Sequence, residues 1–288
     1  MRRSHAWTAI ATAAMSASIA AEQRGGTDDL TALLARIGTR VEQYYTHART
    51  LVCTETVVIQ PLARDLTFDG HARRLVCELR VEWEPLSAGG GRGEASVVRQ
   101  LLTVDGRPPR PKDEPRCMDP RPVSPEPLAM LLPDRSREYA FTWAGTATTG
   151  GRPSVRLDYR SLARKPPVIE WHDDCVSVDL PGRSRGRMWV DAATDDVVRL
   201  DEQLAGTFDI PVPPEQLRRG ARTSMTIERA DSSIEYRTVQ FSDPDEALLV
   251  PASIESLTIV QNAGVPRLRT RQTFSNYRRF TAEGRILK

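Results

Sequence analysis

Residues 73–83 read Arg73-Arg74-Leu75-Val76-Cys77-Glu78-Leu79-Arg80-Val81-Glu82-Trp83. Leu75, Cys77, Leu79, Val81 and Trp83 fall on one face, and Arg74, Glu78, Arg80 and Glu82 on the other. A period of two with one apolar side belongs to a half-buried strand. The run before it, 51–59, is also strand-like, so the two form an antiparallel pair around a turn near Asp65. Further strand patterns follow at 95–104, 138–144, 153–160, 168–179, 186–191, 196–205, 222–230, 233–241, 247–261 and 267–276. Turn signals separate them, among them Asp105-Gly106, Gly150-Gly151, Asp195-Asp196, Asp231-Ser232 and Asn262-Ala263-Gly264. Strands joined by such short turns pair as an antiparallel meander, and the chain reads as mainly β.

One helix stands in front of this text. Thr27 or Asp28 can cap it, and Leu30, Leu33, Leu34, Ile37, Val41, Tyr44 and Tyr45 recur at helical spacing, which predicts an amphipathic helix over 28–47 covering a sheet. A Pro-rich excursion at 107–133 carries a second, short helix of two turns near 124–132. Neither it nor the prolines at Pro211, Pro213 and Pro214 has the low-complexity character of an interdomain linker, so 22–288 is read as a single domain. No repeat of 20–50 residues suggests a propeller or solenoid.

The first 21 residues look like a leader. Met1-Arg2-Arg3-Ser4-His5 is basic, and the small, apolar run from Ala6 to Ala21 is short for a membrane span of about 20 residues. Cleavage after Ala20 or Ala21 is expected, which places the mature chain in the periplasm or outside the cell, not as an integral membrane protein. Loss of Arg2 and Arg3 takes two from the 40 basic residues and leaves them equal to the 38 acidic ones. A neutral chain lacks the basic surplus of a nucleic-acid-binding domain. The basic runs Arg183-Ser184-Arg185-Gly186-Arg187, Arg218-Arg219-Gly220-Ala221-Arg222 and Arg267-Leu268-Arg269-Thr270-Arg271 read as solvated turns and strand faces.

Four cysteines, Cys53, Cys77, Cys117 and Cys175, in an exported chain point to disulfides. Four cysteines allow three connectivities and spacing alone does not choose among them; a turn centred on Asp65 favours the one that sets Cys53 opposite Cys77, at a Cα separation of about 4.5–5.5 Å that a bridge can span. In that connectivity the other pair is Cys117 with Cys175. The lack of any CxxC disfavours a zinc site.

A strand, a turn and a strand run from Gly186 to Arg199, in the form G-x-x-W-V-D-x-x-T-x-x-V-x-R. This stretch resembles the central hairpin of secreted bacterial proteins of the lipoprotein-carrier type, and Phe274-Ser275-Asn276-Tyr277-Arg278-Arg279-Phe280 resembles the last strand of uncharacterised relatives. The resemblance implies a curved antiparallel sheet, an incomplete barrel, whose concave side is covered by helices and receives acyl chains.

Catalytic signatures are missing from the sequence. His47, His71 and His172 form no HExxH, no GxSxG occurs, and Gly89-Gly90-Gly91-Arg92-Gly93 lacks the ending and the helix of a phosphate loop. His172-Asp173-Asp174-Cys175 is dense in ligand types, but neighbours on a strand point to opposite faces. Glu55 shares a face with Leu51, Cys53, Val57 and Ile59, and an ion pair with Arg73 would satisfy it there. No enzyme and no cofactor are expected. Leu79, Val81, Trp83, Tyr139, Phe141, Trp143 and Trp189 either fill a core or line a partly open apolar groove; Leu79, Val81, Trp83, Phe141, Trp143 and Trp189 are the expected ligand residues. The partner is then a lipid, acyl chain or other apolar molecule, or, in the alternative, an envelope protein engaged by a sheet edge or the Pro-rich excursion.

Overall fold

A computed structural model describes residues 14–47, 51–83, 95–113, 126–162, 164–172, 175–217, 222–242 and 245–279. The alternation seen in the sequence is realised as strands: β1 (Leu51–Pro61), β2 (Arg73–Trp83), β3 (Ala95–Val104), β4 (Tyr139–Thr149) and β5 (Arg152–Ser161). A small hairpin follows, β6 (Val168–His172) with β7 (Cys175–Asp179). Then come β8 (Ser184–Asp191), β9 (Val197–Leu204), β10 (Phe208–Pro211), β11 (Ser224–Ser242), β12 (Asp245–Gln261) and β13 (Arg267–Arg279). Eleven strands form one sheet in the order β3-β2-β1-β13-β12-β11-β9-β8-β5-β4, with β10 beside β11. Every pairing is antiparallel, and β3 and β4 are not paired to each other, so the sheet is open.

One face of this sheet is apolar. Odd-numbered residues of β1, Leu51, Cys53, Glu55, Val57 and Ile59, are all buried while their neighbours Thr54, Thr56 and Val58 are half exposed. The helix α1 (Ala14–His47) lies on this inner face and contributes Leu33, Ile37 and Val41 to a core with Leu79, Leu157, Met188, Val190, Leu200, Ile234, Ile254 and Phe274. It begins earlier than the expected 28, because the Ala-rich stretch before Gly25 has high helix propensity.

The second helix is not a two-turn α-helix. Glu126–Leu131 is a 3-10 turn; Pro127 has no N–H and Pro133 ends the segment, which leaves too little chain for an α-helix. Three strand expectations also change. The segment 168–179 folds back on itself as β6 and β7, pairing Val168 with Asp179. The segments 222–230 and 233–241 fuse into β11, where Asp231 and Ser232 continue the ladder with Leu257 and Ser256. Strand β10 was not anticipated.

The disulfide expected between Cys53 and Cys77 is absent, and both residues are buried free thiols. Near the turn the expected register does hold, with Leu62 opposite Phe68. Residues 69–72, with Gly70 at φ 76°, then add two residues to the β2 side, so Ile59 faces Arg73 rather than His71. Cys53 therefore pairs with Leu79, and Cys77 with Glu55. Cys117 lies outside the described residues, as does the 114–125 part of the Pro-rich excursion; Cys175 is not among the free thiols.

Candidate functional site

The concave side is occupied by the protein's own chain. Leu128–Leu132 lie buried against α1 and join the same core. The approach is tight at Gly38, where a Cβ would stand 3.0 Å from the carbonyl oxygen of Leu131. Two ion pairs fasten α1 to the β8–β9 turn: Arg36 Nε to Asp195 Oδ2 at 2.8 Å and Arg40 Nε to Asp196 Oδ1 at 3.0 Å. A cavity of about 220 Å³ remains in the seam between α1 and the sheet. Val41, Tyr44, Leu128, Val197, Leu248 and Leu249 form its apolar lining, with Arg40, Asp195, Asp196 and Glu246 among its polar groups.

The expected ligand residues do not form one lining. Leu79 is buried in the core, and Phe141 packs partly buried against it with Tyr139 and Tyr159, at ring distances of 6.3 and 6.5 Å. Trp143 follows on the outermost strand and is 51% exposed. Val81 and Trp83 lie on β2, but their side chains are outside the described residues. Trp189 points away from Leu79, Phe141 and Trp143. Its neighbours Met188 and Val190 are core residues, so the strand's period of two turns it to the outer face, where the Arg199 guanidinium lies 4.9 Å from its ring centroid.

That stacking explains part of the G-x-x-W-V-D hairpin, whose other positions are also structural. A Cβ on Gly186 would meet the Asp201 carbonyl oxygen at 2.0 Å and the Tyr159 hydroxyl at 2.7 Å, so only glycine lets Tyr159 lie across β8. Val190 and Val197 are buried. Asp191 Oδ1 accepts the backbone N–H of Ala193 at 2.8 Å and of Thr194 at 3.3 Å, closing the turn and holding its carboxyl below the ordinary range, chiefly through the Ala193 bond.

Two groups missed by sequence reasoning stand out. Glu202 accepts the Tyr159 hydroxyl at 3.1 Å, and burial raises its pKa against the opposing pull of Tyr159 and Ser184. The hydroxyl of Tyr159 is itself pushed up by burial and by the Glu202 charge. The signal for this pair was Glu202 two positions after Leu200 on an apolar strand face. The second is a cavity of about 590 Å³ on the outer face, lined by side chains of β4, β5, β8 and β9 that include Asp158, Arg160, Arg185, Arg187 and Asp201. No single run of sequence contains it. Among the described residues no cluster of His, Cys, Asp and Glu could hold a metal ion. No described helix is long and apolar enough to cross a membrane.

No family model matches the chain, and no curated protein matches it. Solved structures do resemble it in fold. A domain described as an outer membrane lipoprotein-sorting protein from Vibrio parahaemolyticus is 9% identical with a TM-score of 0.36, over 85% of this chain and 92% of that one. A DUF1329 family protein from Desulfovibrio piger is 10% identical with a TM-score of 0.41, over 88% and 93%. A LolA superfamily protein from Nitrosomonas europaea is 8% identical with a TM-score of 0.33, over 88% and 96%.

Proposed function

We propose that this is an exported, non-catalytic binding protein that takes an apolar chain between α1 and the inner face of its sheet. The observation that carries this reading is the seam at Val41, Tyr44, Leu128 and Leu248, which opens a cavity of about 220 Å³ onto the core. Ligand sites usually measure about 300–1,000 Å³. A long acyl chain therefore has to displace Leu128–Leu132 or lift α1, and the Arg36 and Arg40 ion pairs resist that movement. The leader reading is compatible: the described packing residues of α1, Leu33, Ile37 and Val41, lie after the cut expected at Ala20 or Ala21.

Fatty acids of increasing length, titrated against intrinsic tryptophan fluorescence, test this. Each buried methylene contributes about 0.8 kcal/mol, so affinity should climb with length. The double variant Arg36→Ala, Arg40→Ala should bind more tightly than wild type, because less of the binding energy is used to open the seam. A flat length series in both proteins overturns the proposal.

A protein partner is the second reading, favoured by Trp143, a large aromatic half exposed on the outermost strand. Trp143→Ser should then abolish co-purification of an envelope protein while leaving the fatty-acid series unchanged.

A further inference from the structure

The outer face of the sheet is built from cross-strand rows of polar side chains. In one row Thr142, Asp158, Arg187, Asp201 and Ser233 stand side by side on β4, β5, β8, β9 and β11. Charge alternates along it. Arg187 donates to both oxygens of Asp158, at 2.6 and 3.0 Å, and Ser233 donates to Asp201 at 2.7 Å. In the row on one side, Arg199 lies between Trp189 and Glu235, stacked on the ring and donating to Asp201 at 2.9 and 3.1 Å. Arg187 and Arg199 each have a carboxylate; Arg156, opposite Trp189 on β5, has no ion pair with a described residue, and its Nε is buried without a hydrogen bond.

The row on the other side places two such arginines together. It runs Ala140, Arg160, Arg185, Gln203 and Asp231, so two arginines are direct cross-strand partners and no acid stands directly opposite either; Asp231, beyond Gln203, is paired with Arg229. Both are exposed, and neither has an ion pair or a side-chain hydrogen bond with any described residue. Directly opposite side chains have Cβ atoms about 4.5–5.5 Å apart, a spacing at which like charges destabilise the sheet. Arg183, of the same basic run, is engaged elsewhere, 5.1 Å from the Phe208 ring centroid. The two unpaired guanidiniums line the 590 Å³ cavity together with the Thr142 hydroxyl, the Gln203 amide and the carboxylates of Asp158 and Asp201, the first held by Arg187 and the second by Arg199 and Ser233.

We propose that Arg160 and Arg185 form a binding site for a phosphate group, with Thr142 and Gln203 as neutral hydrogen-bonding neighbours. A guanidinium presents paired N–H groups that match two oxygens of a phosphate, and two converging guanidiniums balance a dianion where a single carboxylate would leave one of them uncompensated. The cavity admits a phosphomonoester with a small organic group directed over Arg187 toward Trp189. The ligand is either a soluble phosphomonoester or a lipid headgroup of the same chemistry. The site lies on the sheet face opposite α1 and stands whether or not the seam binds an apolar chain.

Calorimetric titration of the full chain with glycerol 3-phosphate at fixed ionic strength tests the site. Wild type should bind, Arg160→Gln and Arg185→Gln should each weaken binding by about tenfold, and the double variant should not bind. Arg80→Gln, which removes an outer-face arginine paired with Glu78, should leave binding unchanged. Without phosphate the double variant should melt at or above the wild-type temperature, since it loses only a repulsion. Sedimentation with phosphatidylcholine vesicles containing phosphatidic acid assigns the source: wild type carried down and the double variant left in solution means a lipid headgroup, and no sedimentation beside intact glycerol 3-phosphate binding means a soluble ligand. Equal binding by wild type and double variant, no binding by wild type, or a lower melting temperature of the double variant without phosphate would each overturn the proposal.

Discussion

Glu55 and Arg99 form a two-pronged ion pair that reaches across an intervening strand: Arg99 on β3 donates Nε and Nη2 to the carboxylate on β1, each at 2.7 Å, with β2 between them. Gln272 on β13 donates a third hydrogen bond at 2.9 Å, and Glu55 is fully buried. The acid is thus held from both sides on the inner face, by Arg99 and not by the Arg73 that local register suggests. Arg99→Met should destabilise the fold by about 3–5 kcal/mol, because it leaves a buried carboxylate uncompensated. Adding Glu55→Gln to that variant should restore much of the loss. Urea unfolding of wild type, both single variants and the double variant measures the coupling.

Gly186→Ala should cost on the order of 3 kcal/mol, the upper end for overpacking, since the atom a methyl would strike is the backbone oxygen of Asp201. Tyr159→Phe in the same background should not recover it. The measurement is the thermal midpoint of each purified protein.

Glu202 gives the fold a pH dependence of defined sign. Burial raises its pKa in the folded state, so the folded chain keeps this proton to a higher pH than the unfolded chain does. Its contribution is fully present below the ordinary carboxylate pKa of about 4.3 and is lost as pH climbs toward the folded value. Glu202→Gln should therefore lose less stability than wild type between pH 4 and pH 8. Urea midpoints across that range, taken as the difference between the two proteins, isolate this group from the other carboxylates.

The thiol of Cys53 is pushed up to about 12, first by burial and then by the nearby Glu55 charge, against a smaller opposing hydrogen bond with Tyr277. Thiolate is the reactive form, so Cys53 should resist alkylation in the native protein. Denatured without reductant, the chain should release the two thiols of Cys53 and Cys77, and the Cys53→Ser, Cys77→Ser variant none, with Cys117 bridged to Cys175. Four titratable thiols in the wild type would exclude that bridge.

The strands were legible because a half-buried sheet writes its period of two directly into the chain, as at 73–83. Alternation also held the clue to Trp189, since Met188 and Val190 cannot share its face, but aromaticity drew it toward the core. Register was harder. The two residues that displace Cys77 from Cys53 sit in an ordinary-looking loop at 69–72, and nothing local marks them as a bulge rather than a turn. Asp231-Ser232 resembles a turn yet stays in the ladder, since both residues pair with β12 on one side and with β9 on the other. The Arg160–Arg185 pairing joins positions 25 residues apart across β5 and β8, and only the assembled sheet sets the two arginines opposite each other.

The open sheet ends on two strands whose outward hydrogen-bonding groups invite a neighbour to continue the ladder. Among the described residues, both border pairings carry a register slip. The β4 pairing slips between Trp143 and Thr146, where Gly145 has φ 96°, and the β2–β3 pairing slips at Val76/Cys77. A register slip in each border strand interrupts the row of donors and acceptors it can offer to another copy, which is how β-bulges commonly blunt a sheet edge.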